Sequence, residues 1–326
     1  MVASASSAPV ASDDEHCGQE DGPAFAPAEM RDEMIVADQT KAAGPTWTAT
    51  QTRIDGALRG GADAFDRAVA DLLNVGDMRT PDGQLEALVQ DASAGHDARV
   101  YALAFRACYT AAHSAPRLRR AAPPTSCASL TVRQWASLDP DNGVPWLAAL
   151  TQADEAGDAA ALRDALAHLA AATRFDDGAY QASAEVLSHA PAAGANEFAI
   201  GDLSNKAWGS LAQFGIGPLA ELCRNGAGGD AALANQCAAI AGTLFDRSDS
   251  WSLRIQGASL TRYMTGDETR RKAVRAERAA MDAGRRAGVP TSTCGFLRYQ
   301  MKQTLRAGQI GEIAAAREEA RPASAP

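Results

Sequence analysis

Large β-branched and aromatic residues are scarce in this chain; aromatics make up 6% of 326 residues. Few strand-forming residues against abundant alanine favour helix over sheet. No run approaches the roughly 18 apolar residues of a membrane span, so none is expected. No Cys-x-x-Cys occurs, which argues against a structural zinc site. No His-Glu-x-x-His, no pair of histidines four apart and no Gly-x-Ser-x-Gly occurs, so no helical metal site or nucleophile elbow announces itself. Residues 1–15 are rich in Ala, Ser and Asp and carry neither a cationic start nor a hydrophobic stretch, so no signal peptide is visible. No cofactor is implied.

What is present is a chain 46% hydrophobic and 22% charged, ample for a sizeable core, with a formal net charge of −9. That charge disfavours non-specific binding to nucleic acid or anionic membrane. Residues 1–45 are Ala, Ser, Pro, Gly and acids, and read as a disordered tail. Residues 46–316 carry helical periodicity at intervals of 15–20 residues, and 317–326 read as a C-terminal tail.

The clearest stretch is Leu138–Asp176. Asn142 suits a helix N-cap, Pro145 falls in the first turn, and Trp146, Leu147, Leu150 and Ala153 form one apolar stripe. Gly157 stops the helix and Asp158 starts another, with Leu162, Leu166, Leu169 and Ala170 facing inward. A connection of two residues forces the rods antiparallel. Gly266-Asp267 repeats the same turn chemistry. Loops are expected at 114–129, which holds three prolines, and at 191–201; the end from Ala315 reads as a fraying helix.

Through Asp139, Pro140, Asn142, Trp146, Gly157 and Asp158 this hairpin resembles a tetratricopeptide repeat over about one unit. Leu150 and Leu162 replace the small residues of that family, and the interval from Asp139 to Asp176 is longer than its 34 residues. The resemblance implies a non-catalytic α-solenoid scaffold that binds a protein or peptide on a concave face. The expected fold is therefore all-α, an antiparallel helix-turn-helix array, with an irregular helical bundle as the alternative.

Six cysteines stand at 17, 108, 127, 223, 237 and 294. Cys108 with Cys127, and Cys223 with Cys237, each bracket a short segment between helices, the spacing of two local disulfides. The other reading is buried thiols. Bridges would place the chain in an oxidising compartment, periplasmic or secreted, as a disulfide-stabilised helical protein of structural or enzymatic role. Without them, and with no leader visible, the cytoplasm is the default; a start upstream of Met1 would reconcile bridges with that N-terminus.

Three further features invite a function. Gly215, Gly217 and Ala220 spell a Gly-x-Gly-x-x-Ala, but no strand precedes it and Pro218 fits a helix start. Arg271, Arg275 and Arg278 lead a basic stretch that suits an acidic partner, or else a solvated helix face paired to Glu268, Glu277 and Asp282. Trp135, Trp146, Trp208 and Trp251 suit a peptide groove or, by their place in apolar stripes, the core. The five histidines are scattered, and a catalytic triad would have to assemble in space.

Overall fold

The computed structural model describes residues 45–75, 83–113, 124–178, 180–190, 197–209, 211, 214–226, 229–286, 290 and 293–320. Residues 1–44 of the expected 1–45 tail, Cys17 among them, most of the 114–129 loop, residues 191–196 and residues 321–326 of the expected 317–326 tail lie outside them. The fold is all-α: among the described residues there are fifteen α-helices and no strand longer than an isolated bridge. No described helix is long and apolar enough to cross a membrane.

The helices begin where the turn chemistry says they should. Asp63 accepts from the Phe65 N–H at the start of α2 (Ala64–Asn74), behind α1 (Pro45–Arg59). Helix α3 (Gly83–Ala94) leads to α4 (Ala98–His113), whose Arg99 N–H donates to Asp97. A 3-10 turn at Thr125–Ser129 precedes α5 (Val132–Leu138), capped by Thr131.

The predicted hairpin is α6 (Val144–Ala156) and α7 (Ala159–Ala171). Gly157 closes α6 in the left-handed region at φ 65°, and Asp158 accepts from the N–H groups of Ala160 and Ala161. Asn142 acts one residue earlier than a formal cap: its Oδ1 accepts from the Val144 and Asp176 N–H groups. Trp146 and Leu166 are buried, as the shared apolar stripes require.

Beyond it come α8 (Gln181–Ser188), α9 (Glu197–Gly209), α10 (Gly217–Gly226), α11 (Ala231–Asp246), α12 (Trp251–Thr265), α13 (Thr269–Arg286), α14 (Thr293–Ile310) and α15 (Glu312–Glu319). Two expectations shift. Residues 197–201 are helix rather than loop, because Ala199, Ile200 and Leu203 bury one face of α9. The end does not fray at Ala315: Ile313 and Ala316 pack on Trp251, Val274 and Met281.

Neighbouring helices pack in sequence order, α6 on α7, α8 on α9 and α11 on α12. Helices far apart also meet: α9 lies on α1 and α2, α14 on α8 and α9, and α11 on α7. A solenoid repeat touches only its neighbours; these returns add contacts of the kind an irregular bundle has. Close approaches rest on glycine. A Cβ on Gly308 would fall 2.2 Å from the Ala184 Cβ where α14 crosses α8, and one on Gly257 would fall 2.7 Å from the Leu244 Cβ between α12 and α11.

Candidate functional site

Three places gather side chains that could carry a function. The first is a buried junction built from connecting segments. After α7 the chain runs extended through Arg174–Gly178, where the Phe175 N–H donates to the Arg247 carbonyl and the Phe175 carbonyl accepts from the Asp249 N–H. The Asp249 carbonyl in turn accepts from the Ile313 N–H. Phe175 is fully buried against Gly143, where a Cβ would come within 2.2 Å of its ring. Asn142 ties the segment to α6, and Arg174 pairs with Asp139 and, at 3.3 Å, with Asp176.

Asp176, Asp177 and Asp249 crowd together here. Burial, and then the neighbouring Asp176 and Asp177 charges, push the Asp249 carboxyl up to about 9, so it keeps its proton and hydrogen-bonds Asp176. Arg106 enters from α4, buried to 3% exposure, and donates to the Asp177 carbonyl. Burial draws its guanidinium below the ordinary value, and the three aspartates oppose that. Beside it lies a cavity of about 250 Å³ that Arg106, Asp177, Phe214, Ser252 and Gln256 help to line. The Gln256 Oε1 there has no hydrogen-bond partner among the described residues, while its Nε2 donates to the Ser252 Oγ at 3.1 Å. The space suits water or a small polar molecule; the acids around it oppose an anion.

The second place is an open cleft of about 570 Å³ between α9, α12, α14 and α15. Trp251, Leu297 and Met301 give it an apolar floor, and Asn205, Gln300 and Gln303 line it with amides. Phe296 stands 42% exposed at its wall, near Tyr299 at a ring separation of 6.5 Å. Glu312 is already committed, to the Tyr180 hydroxyl at 3.1 Å and the Trp251 N–H at 2.9 Å.

The third is a trio of Asp66, Glu185 and His189 where α2 meets α8. Glu185 and His189 are four residues apart on one helical face, and Asp66 is 7% exposed on α2. Burial, then a hydrogen bond to the Asp66 carboxylate, raises the Glu185 carboxyl above its ordinary range.

The residues singled out from sequence fall as follows. Cys108–Cys127 and Cys223–Cys237 lie at disulfide distance, with Cα–Cα separations of 5.7 and 5.9 Å. Arg271 faces Glu268 at 3.4 Å, whereas Arg275 and Arg278 are exposed and no described acid pairs with them. Glu277 instead serves Arg254 and Arg317. Trp135, Trp146 and Trp251 are buried, but Trp208 is 45% exposed. His168 stacks on Trp146 at 3.8 Å. Gly217 opens α10 with no strand before it.

Arg106 and the Asp66 trio escaped sequence reading. A single arginine in an apolar stripe looks like a helix edge. Glu185-x-x-x-His189 is not a pair of histidines, and nothing local points from it to Asp66. No family model, no curated protein and no solved structure matches the chain.

Proposed function

We propose that the chain is a non-catalytic helical binding domain that holds a peptide segment of a partner protein in the cleft of α9, α12, α14 and α15. The observation that carries this reading is the lining itself. An apolar floor takes an anchoring side chain, and amides beside it donate to and accept from a peptide backbone. Phe296 is an exposed aromatic at its wall, the residue type that dominates binding hot spots. Protein binding is also what the tetratricopeptide-like hairpin implies. Helix α13 contributes Asp282 to the cleft and carries Arg271, Arg275 and Arg278, so an acidic flank on the peptide would gain attraction there.

Selection of random peptides on the purified chain tests this. Selected peptides should carry an apolar anchor. Phe296→Glu, and Gln303→Trp, which fills the cleft, should each weaken them by tenfold or more. Arg275→Glu with Arg278→Glu should slow association of acidic peptides alone. Peptides that bind both cleft variants unchanged, or a selection that enriches nothing, would overturn the reading.

A second reading concerns the compartment, and the two cysteine pairs at disulfide distance favour it. We propose an oxidising, periplasmic or secreted location. Alkylation of the native-host protein without reductant should leave Cys108, Cys127, Cys223 and Cys237 unmodified after denaturation. Modification of all four would return the protein to the cytoplasm.

A further inference from the structure

Asp66 and Glu185 bring two carboxylates together inside the α2–α8 interface, and the buried one, Asp66, is more than nine-tenths covered. No lysine or arginine pairs with either among the described residues. The nitrogen nearest the Asp66 carboxylate is the His189 Nε2, at 3.8 Å. That is too long for a hydrogen bond, so Asp66 is not satisfied by the ring.

The imidazole is oriented from its other side. Its Nδ1 lies 3.1 Å from the Glu185 carbonyl, 3.1 Å from the Ser188 Oγ and 3.4 Å from the Glu185 Oε1, which must swing past the ring edge to reach an ion at Nε2. An Nδ1–H donating to the carbonyl leaves Nε2 with a free lone pair turned to Asp66. Metal-bound histidines are held this way by a partner behind the ring. A ligating atom from each of Asp66, Glu185 and His189 lies within 4.8 Å of the others. Ligands about 2.0–2.2 Å from one tetrahedral ion stand roughly 3.3–3.6 Å apart, so a modest inward movement brings all three onto it. Glu185 and His189 ride one helix turn apart, as helical metal ligands do. The backbone leaves room for Asp66 as well: a Cβ on Gly61 would fall 1.9 Å from its Oδ2.

Charge separates the ways of satisfying this trio. A proton held between the Glu185 and Asp66 carboxyls, or an imidazolium, cancels one of the two negative charges, whereas a divalent cation cancels both. One imidazole and two carboxylates form a mixed nitrogen–oxygen set, suited to zinc and its transition-metal neighbours rather than to calcium. The His189 and Glu185 side chains are 21% and 27% exposed, which leaves solvent access for a water in the fourth position.

We propose that Asp66, Glu185 and His189 form a divalent transition-metal site of zinc type that fastens α8 to α2. The site lies apart from the peptide cleft and does not depend on it.

Zinc titration of the full-length, chelator-stripped, oxidised chain by calorimetry tests the proposal, with cobalt(II) as a spectroscopic probe. One ion should bind per chain and raise Tm. Asp66→Asn and His189→Ala should each weaken binding on the order of 100-fold and abolish the tetrahedral cobalt spectrum. Asp66→Asn relieves the repulsion between the carboxylates, so its apo form should fold with the wild-type far-ultraviolet spectrum; Glu185→Gln provides a second variant of that kind. Calcium should not compete. Stoichiometric binding that survives Asp66→Asn and Glu185→Gln would place the ion elsewhere and overturn the site. Failure of the wild-type chain to bind zinc or cobalt would overturn it as well.

Discussion

The centre of the molecule and its C-terminal layer are held together by different physics. Around the α6–α7 hairpin a continuous apolar core runs from Ile54 to Leu260 and includes Phe175, Leu147, Leu150 and Leu169, all fully buried. Helices α13 and α15 join through a separate small cluster, Trp251, Ala258, Val274, Met281, Ile313 and Ala316, and charged pairs lace α15 to α13 and to α14. Buried apolar surface contributes about 25 cal/mol per Å², whereas an exposed ion pair contributes about 0–1 kcal/mol. The centre should therefore unfold only with the whole domain, and the C-terminal layer should open before it.

The strongest attack on that contrast is Phe175→Ala. The ring fills the gap left by Gly143, and its backbone pairs with Arg247 and Asp249 ahead of α12. Truncation should cost about 3–5 kcal/mol and lower the global Tm on the order of 10 °C. Ile313→Ala, in the small cluster, should instead speed hydrogen exchange in α15 and leave α6 and α7 protected. Equal exchange across both regions in the Ile313 variant would dissolve the distinction.

The two cysteine pairs at disulfide distance come next. Each closes a short segment, of sequence separation 19 for Cys108–Cys127 and 14 for Cys223–Cys237. Removing either by paired serine substitution should destabilise the fold by about 3 kcal/mol, from the freedom returned to the unfolded chain. Both lie on the side of the large core, so denaturation with and without reductant should differ in the main transition. No change on reduction would show that the pairs do not bridge.

Much of the centre was legible because its signals are local. Gly157, Asp158, Gly266 and Asp267 mark their corners by chemistry that works within four residues. The stripes of α6 and α7 follow from spacing alone, and so does the nearness of paired cysteines across short segments. What stayed hidden depends on segments distant in sequence. Arg174–Gly178 has no periodicity, yet it binds Asp141–Gly143 on one side and Arg247–Asp249 on the other. Arg106 is buried because Asp177 waits for it 71 residues away. The packed end at Ile313 looked like a fraying tail, since its charges dominate the pattern and the Trp251 surface it covers lies on another helix. Trp208 shows the converse: an aromatic in an apolar stripe that the neighbouring helices leave uncovered.

A smaller effect distinguishes the junction by pH. Asp249 has an ordinary value of 3.8 and is raised to about 9 in the fold. The folded chain therefore holds a proton there that the unfolded chain releases. The stability this proton contributes is complete below pH 3.8 and is lost as pH rises towards about 9. Asp249→Asn keeps the shape, and its amide can still donate to Asp176 and accept from the Asp177 N–H. The variant should match the wild type at pH 4, exceed it by a margin that grows as pH rises to 8, and lose this part of the pH dependence. Parallel curves for the two proteins from pH 4 to 9 would mean that Asp249 ionises in the fold without penalty.

The smallest effect belongs to the C-terminal layer, and salt reveals it. Glu277 on α13 receives Arg254 at 2.8 Å and Arg317 at 2.7 Å, which connects α12, α13 and α15 through one carboxylate. Arg254 is mostly covered, lies over the Trp251 and Phe245 rings at 5.5 and 5.0 Å, and is screened little. Arg317 is half exposed, so its share should fall as ionic strength rises and the Debye length shrinks from about 10 Å at 0.1 M to about 3 Å at 1 M. Arg317→Ala should destabilise α15 by less than about 1 kcal/mol. One molar salt should erase most of the difference from the wild type in α15 exchange rates while leaving α6 and α7 unaltered. A penalty that persists in high salt would mean that the Arg317 stem holds α15 by packing, and that the two regions differ less in kind than in the area they bury.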